Sequence, residues 1–226
     1  MVSRETKSSS PRRDNGPAGR DDHRRTKPRV RRPLDETSLR DLALSYAARY
    51  ATTGAKLEGY LARKIRERGV AEDEDGREQQ IDVTGLVTRL IELGYVDDDA
   101  YARARSRDLT SRGYGKRRVE QALWAAGVEE QVRTDHAPSE AASRRAAILL
   151  ARKRGFGAFG HKIDPDAPID QQRAAREKQT AAMLRAGHDF EHARFILGAS
   201  DTGELEEWLA EAEADEAENQ KDSGSW

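Results

Sequence analysis

Apolar residues recur at intervals of three and four along most of the chain, which is the period of amphipathic helices, and polar runs rich in Gly or Pro separate the periodic stretches. Order begins near Leu34. Thr37 or Ser38 is placed to cap a first helix carrying Leu39, Leu42, Ala43, Tyr46, Ala47 and Tyr50. Thr52, Thr53 and Gly54 interrupt it, and a second helix carries Leu57, Leu61 and Ile65 to a terminal Gly69. Residues 71–80 form a polar loop. A third helix presents Val83, Leu86, Val87, Leu90 and Ile91 and stops at Gly94. Asp97 then suits a helix cap, with Asp98 and Asp99 at the positive end of the helix dipole. That helix reaches about Arg112, where RGYGKRR, 112–118, turns into a helix carrying Val119, Ala122 and Leu123 and ending at Gly127. A short helix fits 129–135, Pro138 breaks the chain, and 139–154 is helical again. A loop over 155–172 leads to helices near 173–186 and 190–198. No segment alternates with period two, so the pattern predicts an all-α fold.

The helices repeat. Three basic helices end in Gly with an apolar residue four positions earlier: Ile65 and Gly69, Leu123 and Gly127, Met183 and Gly187. The glycines lie 58 and 60 residues apart. Eight positions before the Gly the first two copies carry Leu61 and Val119, whereas the third carries Gln179. The predicted architecture is a tandem array of three-helix units, about 34–94, 95–136 and 138–200, each covering an apolar face its neighbour leaves open.

Charge separates this array from two tails. Residues 1–33 hold 11 basic and 4 acidic side chains with almost nothing apolar, and residues 201–226 hold 1 basic and 10 acidic. The basic segment cannot bury enough surface to offset its ordering entropy and is expected to be disordered. The acidic segment is expected to be a disordered solubilising tail, although Leu205, Trp208, Leu209 and Ala212 share a helical face that could settle on the repeats or a partner. No run of apolar residues approaches a membrane span, the N-terminus lacks a secretory pattern, and the chain has no Cys for disulfides or thiolate metal sites. A cytoplasmic protein is the expectation.

The stretch 89–131, RLIELGYVDDDAYARARSRDLTSRGYGKRRVEQALWAAGVEEQ, resembles the RecX family of RecA regulators. The resemblance is carried by the Leu93–Gly94 turn, Val96, the paired Asp97 and Asp98, the step Tyr101–Ala102–Arg103, then Arg112–Gly113–x–Gly115 with Arg117 and Arg118, and a helix ending at Gly127–Val128. Segments 61–70, 150–157 and 183–197 fit more loosely. The loop at 71–80 is longer than is usual there, the 158–172 loop is long, and Arg105 stands where an aromatic or apolar residue is commoner. The resemblance implies three tandem three-helix repeats bent into an elongated crescent. It also implies binding along the groove of a RecA–DNA filament, with contacts to the DNA backbone, and inhibition of strand exchange, ATP hydrolysis and the coprotease role. It implies no catalysis and no cofactor, and a monomer is expected.

Two motifs invite enzymatic readings. HDFEH, 188–192, has the inverted zinc-protease spacing, yet His188 directly follows the turn Gly187 and Asp189 reads as a helix cap, which leaves His188 off the helix carrying His192. Turn and surface histidines are the expectation, with no metal. GFGAFG, 155–160, follows a helix where a dinucleotide site requires a strand. It reads as a loop, or as Phe156 and Phe159 packing on the helices. The GKR at 115–117 lacks both the upstream Gly and the following Ser or Thr of a phosphate loop.

Basic side chains cluster in each unit: Arg63, Lys64, Arg66 and Arg68 in the first, and Arg144, Arg145, Arg152, Lys153 and Arg154 in the third. Charge runs are usually solvated faces. The central cluster is least diluted by acids and flanks the Gly-x-Gly turn, so Arg103, Arg107, Arg112, Lys116, Arg117 and Arg118 are the candidate contacts to the filament or to DNA backbone. The competing reading is a helix-turn-helix transcription regulator acting without RecA, for which Gln121 is the one amide placed to read base edges.

Overall fold

Capped helix starts organise the chain. In the computed structural model, which describes residues 32–160 and 167–223, ten α-helices occur and no strand. They are α1 Glu36–Arg49, α2 Gly54–Arg68, α3 Val83–Glu92, α4 Asp98–Ser111, α5 Lys116–Trp124, α6 Glu130–Asp135, α7 Glu140–Arg154, α8 Ile169–Arg185, α9 Phe190–Gly198 and α10 Thr202–Ser223. Most of the expected basic tail, and the loop residues 161–166, lie outside the described residues. Asp97 caps α4 by accepting the Ala100 N–H at 2.8 Å, and Asp189 caps α9 through His192 N–H at 2.8 Å, as the sequence predicts. The α1 cap differs from the expected Thr37 or Ser38: Asp35 accepts the Ser38 N–H at 2.7 Å, and its carboxyl is held below the usual carboxylate range by that bond. An acceptor at Asp35 starts the helix a turn earlier than a hydroxyl at Ser38 would.

Three apolar clusters follow one another along the chain. Leu39, Leu57, Leu61, Val87 and Leu90 join α1–α3, closed by Leu34, whose N–H donates to Gly69 O at 2.9 Å. Ala102, Leu109, Val119, Leu123 and Val128 join α4–α6. Ala147, Ala151, Met183, Ala193 and Ile196 join α7–α9. The tandem three-helix pattern is thus what the repeating Gly-terminated helices specify.

The units are joined by the same contact used twice. At the first junction the start of α2 docks on the Gly127 turn: Thr53 Oγ1 donates to Ala126 O at 2.5 Å, and a β-carbon on Gly127 would sit 2.3 Å from Ala55 Cβ. At the second junction the start of α5 docks on the Gly187 turn: Gly115 N–H donates to Ala186 O at 3.0 Å and Arg117 N–H to Gly187 O at 3.1 Å. A β-carbon on Gly187 would lie 2.4 Å from Arg118 N. Gly69, the first copy, has no described atom within 4 Å of that position. The glycine repeat therefore reports two needs, a left-handed backbone and close approach of the neighbouring unit.

Two boundaries differ from expectation. α8 begins at Ile169, four residues before 173, because Pro168 at its cap position is preset for a helix start. Its first turn has no apolar period to read, and Ile169 is 74% exposed. The second difference is the acidic tail, whose described part is not disordered. Residues 202–223 form α10, and its apolar stripe, Leu205, Trp208 and Ala212, is buried against the third cluster. The Trp208 ring stacks on Phe195 at 4.6 Å and lies 4.6 Å from the Arg144 guanidinium carbon. Glu216 Oε1 accepts the Ala141 N–H at 2.7 Å, and Arg145 pairs with Glu213. The stripe and the basic residues Arg144 and Arg145 were each legible, but not that they meet.

Candidate functional site

The RGYGKRR turn starts from Leu109, whose carbonyl accepts from both Arg112 and Tyr114 N–H at 3.1 Å, and Gly113 turns the chain at φ 91°. α5 then begins at Gly115, which offers no side-chain cap, and its first turn carries no acid but Lys116, Arg117 and Arg118. Cations there oppose the helix dipole. Six other helices begin with an Asp, Ser or Thr cap that accepts a backbone N–H. The three cations therefore add nothing to helix stability, and together they form an anion-attracting edge. All three side chains are exposed, and no acid among the described residues pairs with them.

The six candidate residues do not form one face. Arg112 and Arg118 line an open cleft of about 410 Å³ together with Arg105, Tyr114, Gln121 and, from α2, Lys56. Lys116 faces the other side of α5, where Glu130 and Arg133 of α6 stand. Arg103 and Arg107 lie one turn apart on α4, away from that cleft. Arg103 is tied to Asp99, whose carboxyl is held low by hydrogen bonds from His136 and Arg103. Arg112 pairs with Asp108 at 2.9 Å, which also holds Arg105 at 3.0 Å. Arg107, Lys116, Arg117 and Arg118 thus carry the charge least compensated by acids, and Arg103 and Arg112 are partly neutralised.

Two further residues of the cleft, Lys56 and Arg105, lie outside the six candidate contacts. Lys56 lies 4.4 Å from the Tyr101 ring centre and donates to its hydroxyl, a pairing across 45 residues that no local pattern reveals. Arg105 had a local signal, since it follows Tyr101 by one helical turn, and its guanidinium is what the atypical residue supplies to the cleft. Asp98 accepts the Gly54 N–H at 2.9 Å, and burial raises its carboxyl above the usual range despite that bond.

The remaining motifs resolve as structure. His188 and His192 are not surface histidines as expected: both are buried, at 1% and 7% exposed. His188 lies off α9, with Nε2 3.0 Å from Gly113 O, so it locks the Gly-x-Gly turn to the third unit. His192 Nε2 lies 3.1 Å from Glu140, whose carboxyl is pushed up by burial but pulled lower on balance by Arg144 and His192. Among the described residues no three His, Asp or Glu side chains are placed to hold a metal. In GFGAFG, Phe156 and Phe159 pack on the third cluster, and Gln179 approaches Gly157 N at 3.4 Å, which explains the polar residue in the third copy of the repeat. No helix of the described residues is long and apolar enough to cross a membrane.

Comparison with known proteins agrees with the three-helix architecture. Residues 97–135 match RecX, second three-helix domain. The regulatory protein RecX of Agrobacterium fabrum (strain C58) is 31% identical over 175 residues, covering 76% of this chain and 88% of that protein. That of Myxococcus xanthus (strain DK1622) is 28% identical over 190 residues, covering 83% of this chain and 98% of its own length. The crystal structure of RecX from Lactobacillus salivarius superposes with a TM-score of 0.53 at 16% identity, over 71% of this chain and 93% of that one, a likeness of fold.

Proposed function

Because the chain belongs to the RecX family of regulatory proteins, we propose that it binds the RecA–DNA filament and inhibits its recombinase, ATPase and coprotease activities, with no catalysis of its own. On this reading it is a cytoplasmic monomer that restrains recombination and DNA repair. The observation that carries the reading is the start of α5, where Lys116, Arg117 and Arg118 stand exposed with no acid among the described residues paired to them. An acidic groove wall or a phosphate backbone complements that edge.

A helix-turn-helix regulator is the poorer fit. Such proteins present the start of a recognition helix to base edges. Here the backbone at the start of α5 is hydrogen-bonded to Ala186 and Gly187 of the next unit.

The test uses RecA from the same organism. DNA-dependent ATPase and strand exchange should both fall as the protein is added from substoichiometric to stoichiometric amounts. If both are unchanged at several-fold excess, the reading fails.

A further inference from the structure

The first unit carries a second cleft, apart from the cationic edge of α5. It measures about 570 Å³ and lies between α1 and α2, lined by Tyr46, Tyr50 and Tyr60 with Arg49, Arg63 and Lys64. Tyr46 and Tyr60 stack face to face at 4.2 Å, 21° from parallel, and Tyr50 leans on Tyr46 at 5.1 Å. This pair fixes one wall, and Tyr50 stands beside it 57% exposed. Tyr50 is the α1 C-cap residue, in extended backbone, with its N–H tied to Tyr46 O, so an exposed ring is held on a braced base.

The charged side chains lining this cleft are all basic. Arg49 closes α1, and no acid among the described residues pairs with it. Arg63 and Lys64 each lie 5.6 Å from the Tyr60 ring centre. Glu67, at the far edge, holds Lys64 at 2.6 Å and lies 3.7 Å from Arg63, whose side chain is still 58% exposed. On α2, Lys56, Tyr60, Arg63 and Lys64 fall at successive steps of four, three and one, which share one face. That face leads from the central cleft, where Lys56 stands, into the aromatic one, about 12 Å along the helix at 1.5 Å per residue.

We propose that the α1–α2 cleft is a binding site for single-stranded nucleic acid, in which an unpaired base stacks on Tyr50 while Arg49 and Arg63 neutralise the flanking phosphates. An exposed ring in a cleft lined by three cations suits a base with its flanking phosphates, and every base offers a π-face, so the site selects single strands without reading sequence. A duplex keeps its bases stacked and cannot use Tyr50. An acidic protein surface would use the arginines but leave the ring without a role. The site needs no recombinase, so it stands whether or not the filament reading holds.

Fluorescence anisotropy of the full chain decides it, with a labelled oligothymidine and a duplex of equal length as probes over a salt series without recombinase. The single strand should bind more tightly than the duplex. Tyr50→Ala should weaken single-strand binding about tenfold with little change in duplex binding, and Tyr50→Trp should restore it. Arg49→Ala with Arg63→Ala should weaken it and lower the salt slope by about 0.7 per lost phosphate contact. Circular dichroism would check that each variant is folded. Tyr50→Ala binding oligothymidine as the wild type does, or no preference for single strand over duplex, overturns the proposal. If Tyr50→Ala loses filament binding while oligothymidine affinity is absent in the wild type, the cleft belongs to a protein contact and the proposal also fails.

Discussion

Gly115 meets Gly187 backbone to backbone: a β-carbon built on Gly115 would lie 2.4 Å from the carbonyl group of Gly187. The second and third units are held at this distance by Gly115 N–H to Ala186 O and Arg117 N–H to Gly187 O, so the hydrogen bonds form only while no side chain intervenes.

Gly115→Ala isolates that requirement, because Gly115 has φ −84°, which alanine adopts without strain. The methyl group should force the units apart and lower stability by about 1–3 kcal/mol, the usual cost of overpacking. Gly59→Ala is the control. Gly59 lies within α2 with nothing near its β position, and alanine there should raise stability by about 0.5–1 kcal/mol. Urea denaturation of both variants measures the difference, and equal effects would mean that the junction is not closed at Gly115.

The caps at Asp97 and Asp189 and the glycines at 127 and 187 were readable because each acts within a few residues of its own helix. What each glycine touches was not, since Gly127 meets Ala55 and Gly187 meets Arg118 across units. The same limit applied to the site. The cations of α5 stand together in sequence, whereas Lys56 reaches Tyr101 only through the fold. Clustered in sequence, Arg103 and Arg112 looked equivalent to Lys116, but Asp99 and Asp108 one turn away on α4 partly neutralise them. Pro168 hid the start of α8 by replacing an apolar period with backbone geometry, and α10 hid its docking because its receiving surface lies on α7 and α9.

Lys116, Arg117 and Arg118 changed together to Glu should leave the fold intact. Acids at the start of α5 suit the helix dipole by about 0.3–1 kcal/mol each, which offsets new repulsion of the Lys116 position with Glu120 and Glu130. Arg112 is left in place because reversing it would set a Glu beside Asp108. Filament binding should fall tenfold or more, a loss above ~1.4 kcal/mol, with a shallower salt slope than the wild type. Co-sedimentation over a salt series reads both. A folded triple variant that still binds as the wild type does would remove the α5 edge from the interface.

His188 should make the junction sensitive to acid. Burial depresses its pKa below the ordinary 6.5, outweighing the Gly113 carbonyl and Asp189, so the folded chain holds it neutral where the unfolded chain takes a proton. Above that ordinary value the contribution to stability is flat. As pH falls below it the unfolded state binds more protons and stability drops. His188→Gln keeps a donor for Gly113 O but does not titrate. The variant should therefore lose less stability than the wild type between pH 7.5 and 5.5, measured by urea denaturation. Parallel curves would show that His188 is not the acid-sensitive group.

The hold on α10 is assigned to a ring rather than to charge. Trp208 is 9% exposed, stacked on Phe195 and set beside Arg144, whose guanidinium also donates to Trp208 O at 2.5 Å. The outer ion pairs are solvated: Glu213 is 46% exposed and its partner Arg145 60%. Pairs of that kind contribute about 0–1 kcal/mol and fade in salt, whereas truncating a buried Trp to Ala costs about 3–5 kcal/mol. α10 packs on α7 and α9 of the third unit, so this loss should appear as local release before global unfolding. Hydrogen exchange over 202–223 should therefore rise sharply in Trp208→Ala, stay near wild type in Glu213→Lys, and change little for the wild type between 0.1 and 1 M salt. Release of the helix by salt alone would transfer the hold to the glutamates. The acidic tail would then be an electrostatic cover on Arg144 and Arg145 rather than a packed part of the third unit.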